Sequence, residues 1–193
     1  VNKKDIPLLE SLGIRDSKKM NDEKILKVAP AIAKAIKYKS IILSNKEYNE
    51  KYNNVDNNIN KIKAIMHNKA LWKMVHEEDL EYDYIIVDEF AREARYYDYI
   101  KDSTNIQKGI TFMTKAEDKN LAVACASVIS RYIFIKEFDK MCDELHIPLP
   151  KGAGPQVDEA GKEVVETYGK EKLEDVAKLN FRNTQRILGT LIY

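Results

Sequence analysis

Three carboxylates, Asp88, Glu117 and Asp118, each stand just beyond a short apolar run. In Asp83-Tyr-Ile-Ile-Val-Asp-Glu-Phe90 the run over residues 84–87 ends in Asp88 and Glu89. A second run, Ile110-Thr-Phe-Met113, delivers Thr114-Lys-Ala-Glu-Asp118. Short apolar runs bounded by polar residues read as buried strands. Open α/β sheets bind ligands and metals at the C-terminal ends of their strands. If the two strands are parallel neighbours joined by a helix over residues 91–101, a right-handed crossover sets their C-terminal ends side by side, ~4.8 Å apart. Carboxylates at both tips can then share a hard cation such as Mg²⁺, which takes oxygen ligands. The competing roles are local: Asp88 as the cap of a helix beginning near residue 91, Glu117 and Asp118 as the acidic first turn of another. Acids at both strand ends favour the metal reading.

Around them lie clusters that mix cations with small hydrogen-bonding side chains: Arg15-Asp-Ser-Lys-Lys19, Asn60-Lys-Ile-Lys63, His67-Asn-Lys69 and Arg182-Asn-Thr184. That mixture suits phosphate and sugar oxygens better than base edges, although any one cluster also fits an ordinary solvated face. Lys151-Gly-Ala-Gly154 lacks the spacing of a P-loop and no strand precedes it. The histidines have no partner at metal-ligand spacing, and no Gly-x-Ser-x-Gly or Cys–His pattern offers a nucleophile. Trp72 and the tyrosines read as packing residues.

The elements that must position these groups follow from periodicity and punctuation. A helix over residues 5–12 stops at Gly13. Asn21 caps a helix running to residue 38, with Pro30 interrupting its donors. Next come a strand over 40–44, helices over 46–52 and 59–77, the strand over 84–87, the helix over 91–101 and the strand over 110–113. The helix over 121–146 begins apolar or small on every side and is therefore buried there. A turn-rich loop over 148–155 leads to helices over 158–168 and 171–177 and a last helical segment after Arg182-Asn-Thr184. Three strands among many helices give an α/β domain with a short sheet. No repeat, low-complexity tract or long linker divides the 193 residues, so they read as one domain.

Charge is abundant but balanced, 32 basic against 31 acidic residues, so any nucleic-acid surface must be local. Cys125 and Cys142 have neither metal nor pairing spacing and read as free thiols of a reducing cytosol. No apolar run reaches the ~18 residues of a membrane span, and no signal-peptide pattern opens the chain. Val1 in place of an initiator methionine reads as a trimmed start.

Taken in order, Leu12-Gly-Ile-Arg-Asp-Ser-Lys-Lys-Met20, Asn60-Lys-Ile-Lys-Ala-Ile-Met-His-Asn-Lys-Ala70, Val87-Asp-Glu-Phe90, Thr114-Lys-Ala-Glu117, Ala124-Cys-Ala-Ser-Val-Ile-Ser-Arg131, Pro150-Lys-Gly-Ala-Gly154 and Ala177-Lys-Leu-Asn-Phe-Arg-Asn-Thr184 resemble the catalytic domain of bacterial ribonuclease HIII. The resemblance runs from about Ile14 to Thr184. It implies an α/β, ribonuclease H-like mixed sheet flanked by helices. It also implies endonucleolytic cleavage of the RNA strand of RNA–DNA hybrids by a two-metal mechanism with Mg²⁺, or Mn²⁺ in its place. Asp88 matches the family's third acidic ligand. The fourth falls on Glu117, with Asp118 as the alternative one step on. Arg15, Ser17 and Lys18 would contact phosphate, and Lys61 joins them as a substrate-binding candidate. The expected partner is the hybrid duplex, met by a monomer in the cytoplasm with no membrane association.

Two departures stand out. Asn180 occupies a position where the family usually has His. The family's first two ligands, an Asp-Glu pair on its first strand, have no counterpart in this sequence. Residues 1–193 therefore read as a single, N-terminally truncated catalytic domain lacking its first two strands, nearly inactive alone. In the family sheet those strands lie between the segment at 40–44 and the strand ending in Asp88. Ribonuclease HII-type cutting at embedded ribonucleotides and a non-catalytic nucleic-acid-binding remnant are the alternatives.

Overall fold

The computed structural model describes residues 1–14, 20–53, 58–78 and 80–189. Along the chain run α1 (Ile6–Ser11), α2 (Asp22–Ala35), α3 (Asn45–Tyr52), α4 (Ile59–His76), β1 (Ile85–Asp88), α5 (Glu93–Tyr99), β2 (Ile110–Met113), α6 (Ala116–Lys119), α7 (Leu121–Leu145), α8 (Pro155–Tyr168), α9 (Leu173–Val176) and α10 (Arg182–Ile187). The chain forms two compact units, one from residues 1–41 and 60–135, the other from 42–59 and 136–193.

The first unit holds the sheet. β1 and β2 pair in parallel, Ile85 opposite Ile110 and Asp88 opposite Met113, with α5 in the crossover between them. Ile85, Val87 and Ile110 turn into a core with Ala64 of α4 and Tyr96 and Ile100 around α5. Tyr96 is fully buried, its ring 4.9 Å from Phe112 and 5.4 Å from Tyr97. Burial pushes its phenol pKa strongly upward, with Tyr97 adding to the shift.

Asn68 of α4 fixes the approach to β2. Its amide Nδ2 donates to the Asn105 carbonyl at 2.7 Å, and its Oδ1 accepts from the Gln107 amide at 2.9 Å. The side chain thus serves residues 105–107 as a neighbouring strand would, which satisfies backbone groups beside the buried Gln107.

A second core in this unit joins α1, α2 and the N-terminal half of α7. Leu9, Ile14, Ile25, Ala29 and Ile32 pack with Cys125, Val128, Ile129 and Ile135. α2 starts where Asn21 accepts the Lys24 amide at 2.9 Å. It carries Pro30 on an exposed position and ends at Ile36, whose extended backbone stops it before the expected residue 38. Asn120 starts α7 by accepting the Ala122 and Val123 amides. Cys125 is a free thiol whose pKa burial pushes up to about 11.

In the second unit Leu145, Ile147, Val164 and Leu173 form the core. Ser44 and Glu47 make a reciprocal capping box at the start of α3. Asn49 of α3 donates to the Glu174 and Ala177 carbonyls and accepts from the Leu179 amide, which ties down the segment after α9. α8 begins at Pro155, three residues before the expected start, because proline is tolerated in the first helical turn. Near its start Asp158 is 9% exposed and takes hydrogen bonds from Asn183 and Arg186 of α10. Gly161 lets α8 and α10 meet, since a β-carbon there would stand 2.9 Å from Ile187 Cγ1.

The ribonuclease H-like expectation is met by a helix-rich α/β fold with a small sheet, but one predicted strand does not form. Among the described residues the sheet has two strands, and residues 40–44 join no ladder. A strand needs a neighbour for its amides and carbonyls, and Ile42 is left 54% exposed. The helix expected over 171–177 is split into a short 3-10 turn, Lys170–Lys172, and α9. The single turn α6 carries Glu117 and Asp118 in its first turn, as the competing reading of those residues has it, but it stands as an element of its own, separate from α7.

Candidate metal centre

Asp88 ends β1 as an exposed residue. The pairing of β1 with β2 continues one step further, the Glu89 amide donating to the Met113 carbonyl at 3.1 Å. Beyond Met113 the chain turns through Lys115, which adopts a left-handed conformation (φ 53°, ψ 44°), and enters α6. A non-glycine residue in that region is held there by its surroundings. Lys119 Nζ closes the turn on the Thr114 carbonyl at 3.0 Å. The result aims the first amide of α6 at the strand tip: the Ala116 N–H donates to Asp88 Oδ1 at 2.7 Å.

Asp88 therefore does cap a helix, though not the one that follows it in sequence. α5 starts at Arg92 without a side-chain cap, whereas α6, carrying Glu117 and Asp118 in its first turn, is held against Asp88 across the sheet. Glu117 is half-buried and its Oε2 accepts a hydrogen bond of 3.3 Å from the Ser127 hydroxyl of α7. Asp118 is exposed.

On the other flank, α4 presents Lys63 and His67, one turn apart, to Phe90. The His67 ring lies 5.1 Å from the Phe90 ring and the Lys63 ammonium 5.8 Å from its centre. Phe90 in turn meets Tyr96 edge-on at 6.1 Å, so the turn after Asp88 is anchored to the core. His67 is exposed as a residue, yet crowding around its ring is the largest effect holding its pKa below the ordinary value. Lys63 lowers it further and Asp88 opposes both.

The donor chemistry fits a hard divalent ion. Asp88 stands at one strand end and accepts the first amide of the helix that carries Glu117 and Asp118, and an ionised carboxylate that accepts one N–H retains capacity for further ligands. Among the described residues no three His, Cys, Asp or Glu side chains gather to hold an ion. A pair of carboxylates is nonetheless a usual protein share for Mg²⁺, the remaining positions going to water and phosphate oxygens.

The expected phosphate contacts separate. Arg15, Ser17 and Lys18 lie outside the described residues. Lys61 is half-buried on α4. Two members of the polar clusters are structural: Asn68 holds residues 105–107, and Asn183 donates to the Ala153 carbonyl and to Asp158. The sequence reading passed over Ser127 and Phe90 as individuals and weighed His67 only as a metal ligand. Their signal was the strings Ala124-Cys-Ala-Ser127, Val87-Asp-Glu-Phe90 and His67-Asn-Lys69.

A helix-rich α/β fold with a small parallel sheet agrees with the ribonuclease H-like expectation. The chain belongs to the ribonuclease HII family, whose sequence profile matches residues 1–184. It is similar to Ribonuclease HIII of Bacillus cereus, 39% identical over 193 residues that make up 99% of this chain and 62% of that protein. Ribonuclease HIII of Bacillus anthracis (strain A0248) is 39% identical over 188 residues, 96% of this chain and 60% of that protein. Among solved structures, Bst-RNase HIII in complex with Mn²⁺ superposes with a TM-score of 0.94 at 36% identity, covering 98% of this chain and 62% of the other. The ribonuclease H2 of Pyrococcus horikoshii OT3 shares the fold at a TM-score of 0.76 and 18% identity, over 98% and 87% of the two chains. The chain thus spans about three fifths of the length of the ribonuclease HIII proteins it matches.

Proposed function

We propose that this chain belongs to the catalytic domain of a ribonuclease H of the HIII type, which hydrolyses the RNA strand of RNA–DNA hybrids and leaves 5′-phosphates. One observation carries the reading: the 2.7 Å bond from Ala116 to Asp88, which joins the helix of Glu117 to the strand tip of Asp88. Asp88 and Glu117 are the metal ligands, with Asp118 next to them as the alternative to Glu117. Mg²⁺ is the working ion and Mn²⁺ its substitute, a choice supported by the all-oxygen donor set and by the Mn²⁺ in the Bst-RNase HIII structure. When bound, a divalent ion supplies Lewis acidity toward an attacking water and the leaving 3′-oxygen.

The chain's own residues provide orientation. The Ala116 amide fixes Asp88, and the core contacts of Phe90 fix the turn that follows it. Arg15, Ser17, Lys18 and Lys61 bind phosphate, by resemblance to the family. Selection of RNA over DNA works through 2′-hydroxyl groups. The protein acts as a cytoplasmic monomer. The free thiols Cys125 and Cys142 suit the reducing compartment this reading assumes.

Incubation of the full-length protein with a labelled RNA–DNA hybrid tests the activity. Cleavage at many positions is expected with Mg²⁺ and none with EDTA. Cutting confined to a DNA duplex containing one embedded ribonucleotide would shift the assignment to the ribonuclease HII type. Binding that weakens with salt, with no cleavage in Mg²⁺ or Mn²⁺, would instead mark a non-catalytic nucleic-acid-binding protein.

A further inference from the structure

We propose that Ser127 is a positioning residue for Glu117, fixing the direction in which that carboxylate meets a divalent ion. The proposal rests on the reading of Glu117 as a ligand. It deepens that reading by naming the group that holds the ligand in place.

The argument begins with α6. A four-residue helix gives a side chain little to pack against, and of its members Ala116 alone is buried. Glu117 is a long side chain with several rotatable bonds, so the position of its backbone does not fix where its carboxylate points. An anchor must come from a neighbouring rigid element. α7 is that element: Cys125, Val128 and Ile129 lock its first half into the core.

Ser127 stands out in that half. From Leu121 to Ile129 every other side chain is aliphatic, or the thiol of Cys125. Serine forms helix less readily than alanine, and inside a helix its hydroxyl ordinarily turns back to a carbonyl one turn earlier. Here the half-buried hydroxyl reaches out of α7 and donates to Glu117 Oε2 at 3.3 Å, between residues ten apart in sequence. A neutral donor suits this task. It orients an ionised carboxylate without placing a competing positive charge beside the ion, as a lysine would. Hydrogen bonds of this kind to ligating carboxylates set both orientation and affinity.

Mn²⁺ binding to the full-length protein, followed by the electron paramagnetic resonance signal of free Mn²⁺, tests this without reference to turnover. Ser127→Ala is expected to weaken Mn²⁺ binding on the order of tenfold. Its melting temperature should not fall, since alanine is the better helix former. Ser127→Thr keeps the hydroxyl and should bind Mn²⁺ close to the original affinity. The Mn²⁺ concentration for half-maximal hybrid cleavage should rise in Ser127→Ala in step with the binding constant. Unchanged Mn²⁺ affinity in Ser127→Ala overturns the proposal. So does weakened binding with a lowered melting temperature that Ser127→Thr fails to restore, since that pattern belongs to a structural role. Glu117→Gln separates the two levels of the argument. If it weakens Mn²⁺ binding while Ser127→Ala does not, only the role of Ser127 falls. If it leaves binding intact, the assignment of Glu117 as a ligand falls and this proposal falls with it.

Discussion

On the proposed reading, Asp88 does two jobs with one carboxylate. One oxygen satisfies the first amide of α6 at 2.7 Å, a bond of the kind that caps helices. The group retains lone pairs for a cation, because an ionised carboxylate offers about four acceptor sites. Helix capping and metal binding, which compete when the sequence is read along the chain, are compatible once the cap is made across the sheet. Glu117 and Asp118 differ in exposure. Glu117 is half-buried and bonded to Ser127, while Asp118 is exposed. Glu117→Gln is therefore expected to lower hybrid cleavage by at least about a hundredfold, and Asp118→Asn by less than about tenfold. Steady-state kinetics at saturating Mg²⁺ checks both, and the reverse order would move the ligand to Asp118. That acids stand at two strand ends was legible from apolar runs and their polar boundaries. Which atoms they bond to was not, since the partners, Ala116 and Ser127, lie 28 and 10 residues away.

At the scale of elements, the site depends on α4, β1, β2 and α6 keeping their places. Asn68 does part of this by acting as a strand edge for residues 105–107. Asn68→Ala leaves the Gln107 amide and the Asn105 carbonyl without that partner. It is expected to destabilise the fold by roughly 2–3 kcal/mol, measured by urea unfolding. Loss of under half a kcal/mol would mean that water replaces the amide at no cost. Long periodic elements such as α2, α4 and α7 were legible because caps and apolar spacing agree. Residues 40–44 looked equally strand-like, yet a strand is defined by its neighbour, and none stands beside them among the described residues. The converse failure was α6, a single turn too short for any periodicity, made by the left-handed Lys115 and held by Asp88.

At the scale of the whole molecule, the chain gathers into two units, and the second has its own buried ionic lock. Asp158, joined to Arg186 and Asn183, has its pKa held below the ordinary carboxylate value chiefly by the hydrogen bond from Arg186, with burial opposing and Asn183 helping. A carboxylate whose folded pKa is depressed adds stability that is fully present above its unfolded pKa. That stability disappears as pH falls through the folded one. The melting temperature of Asp158→Asn should thus lie below that of the unaltered protein at pH 6–7, with the gap closing below about pH 4. A gap that persists or grows on acidification would show that Asp158 acts through shape and not charge.

The near balance of 32 basic and 31 acidic residues left nucleic-acid binding invisible in the overall composition. What points to it is local: carboxylates at one sheet edge, with Lys63 and His67 on the adjoining helix. The most direct test of the central claim is Asp88→Asn in the full-length protein, with hybrid cleavage and hybrid binding measured side by side in Mg²⁺. Cleavage should disappear while the dissociation constant for the hybrid stays within about threefold, because the asparagine oxygen still accepts from Ala116 but no longer carries the charge a cation requires. An Asp88→Asn protein that cuts hybrids at an undiminished rate would remove Asp88 from the site and contradict the account.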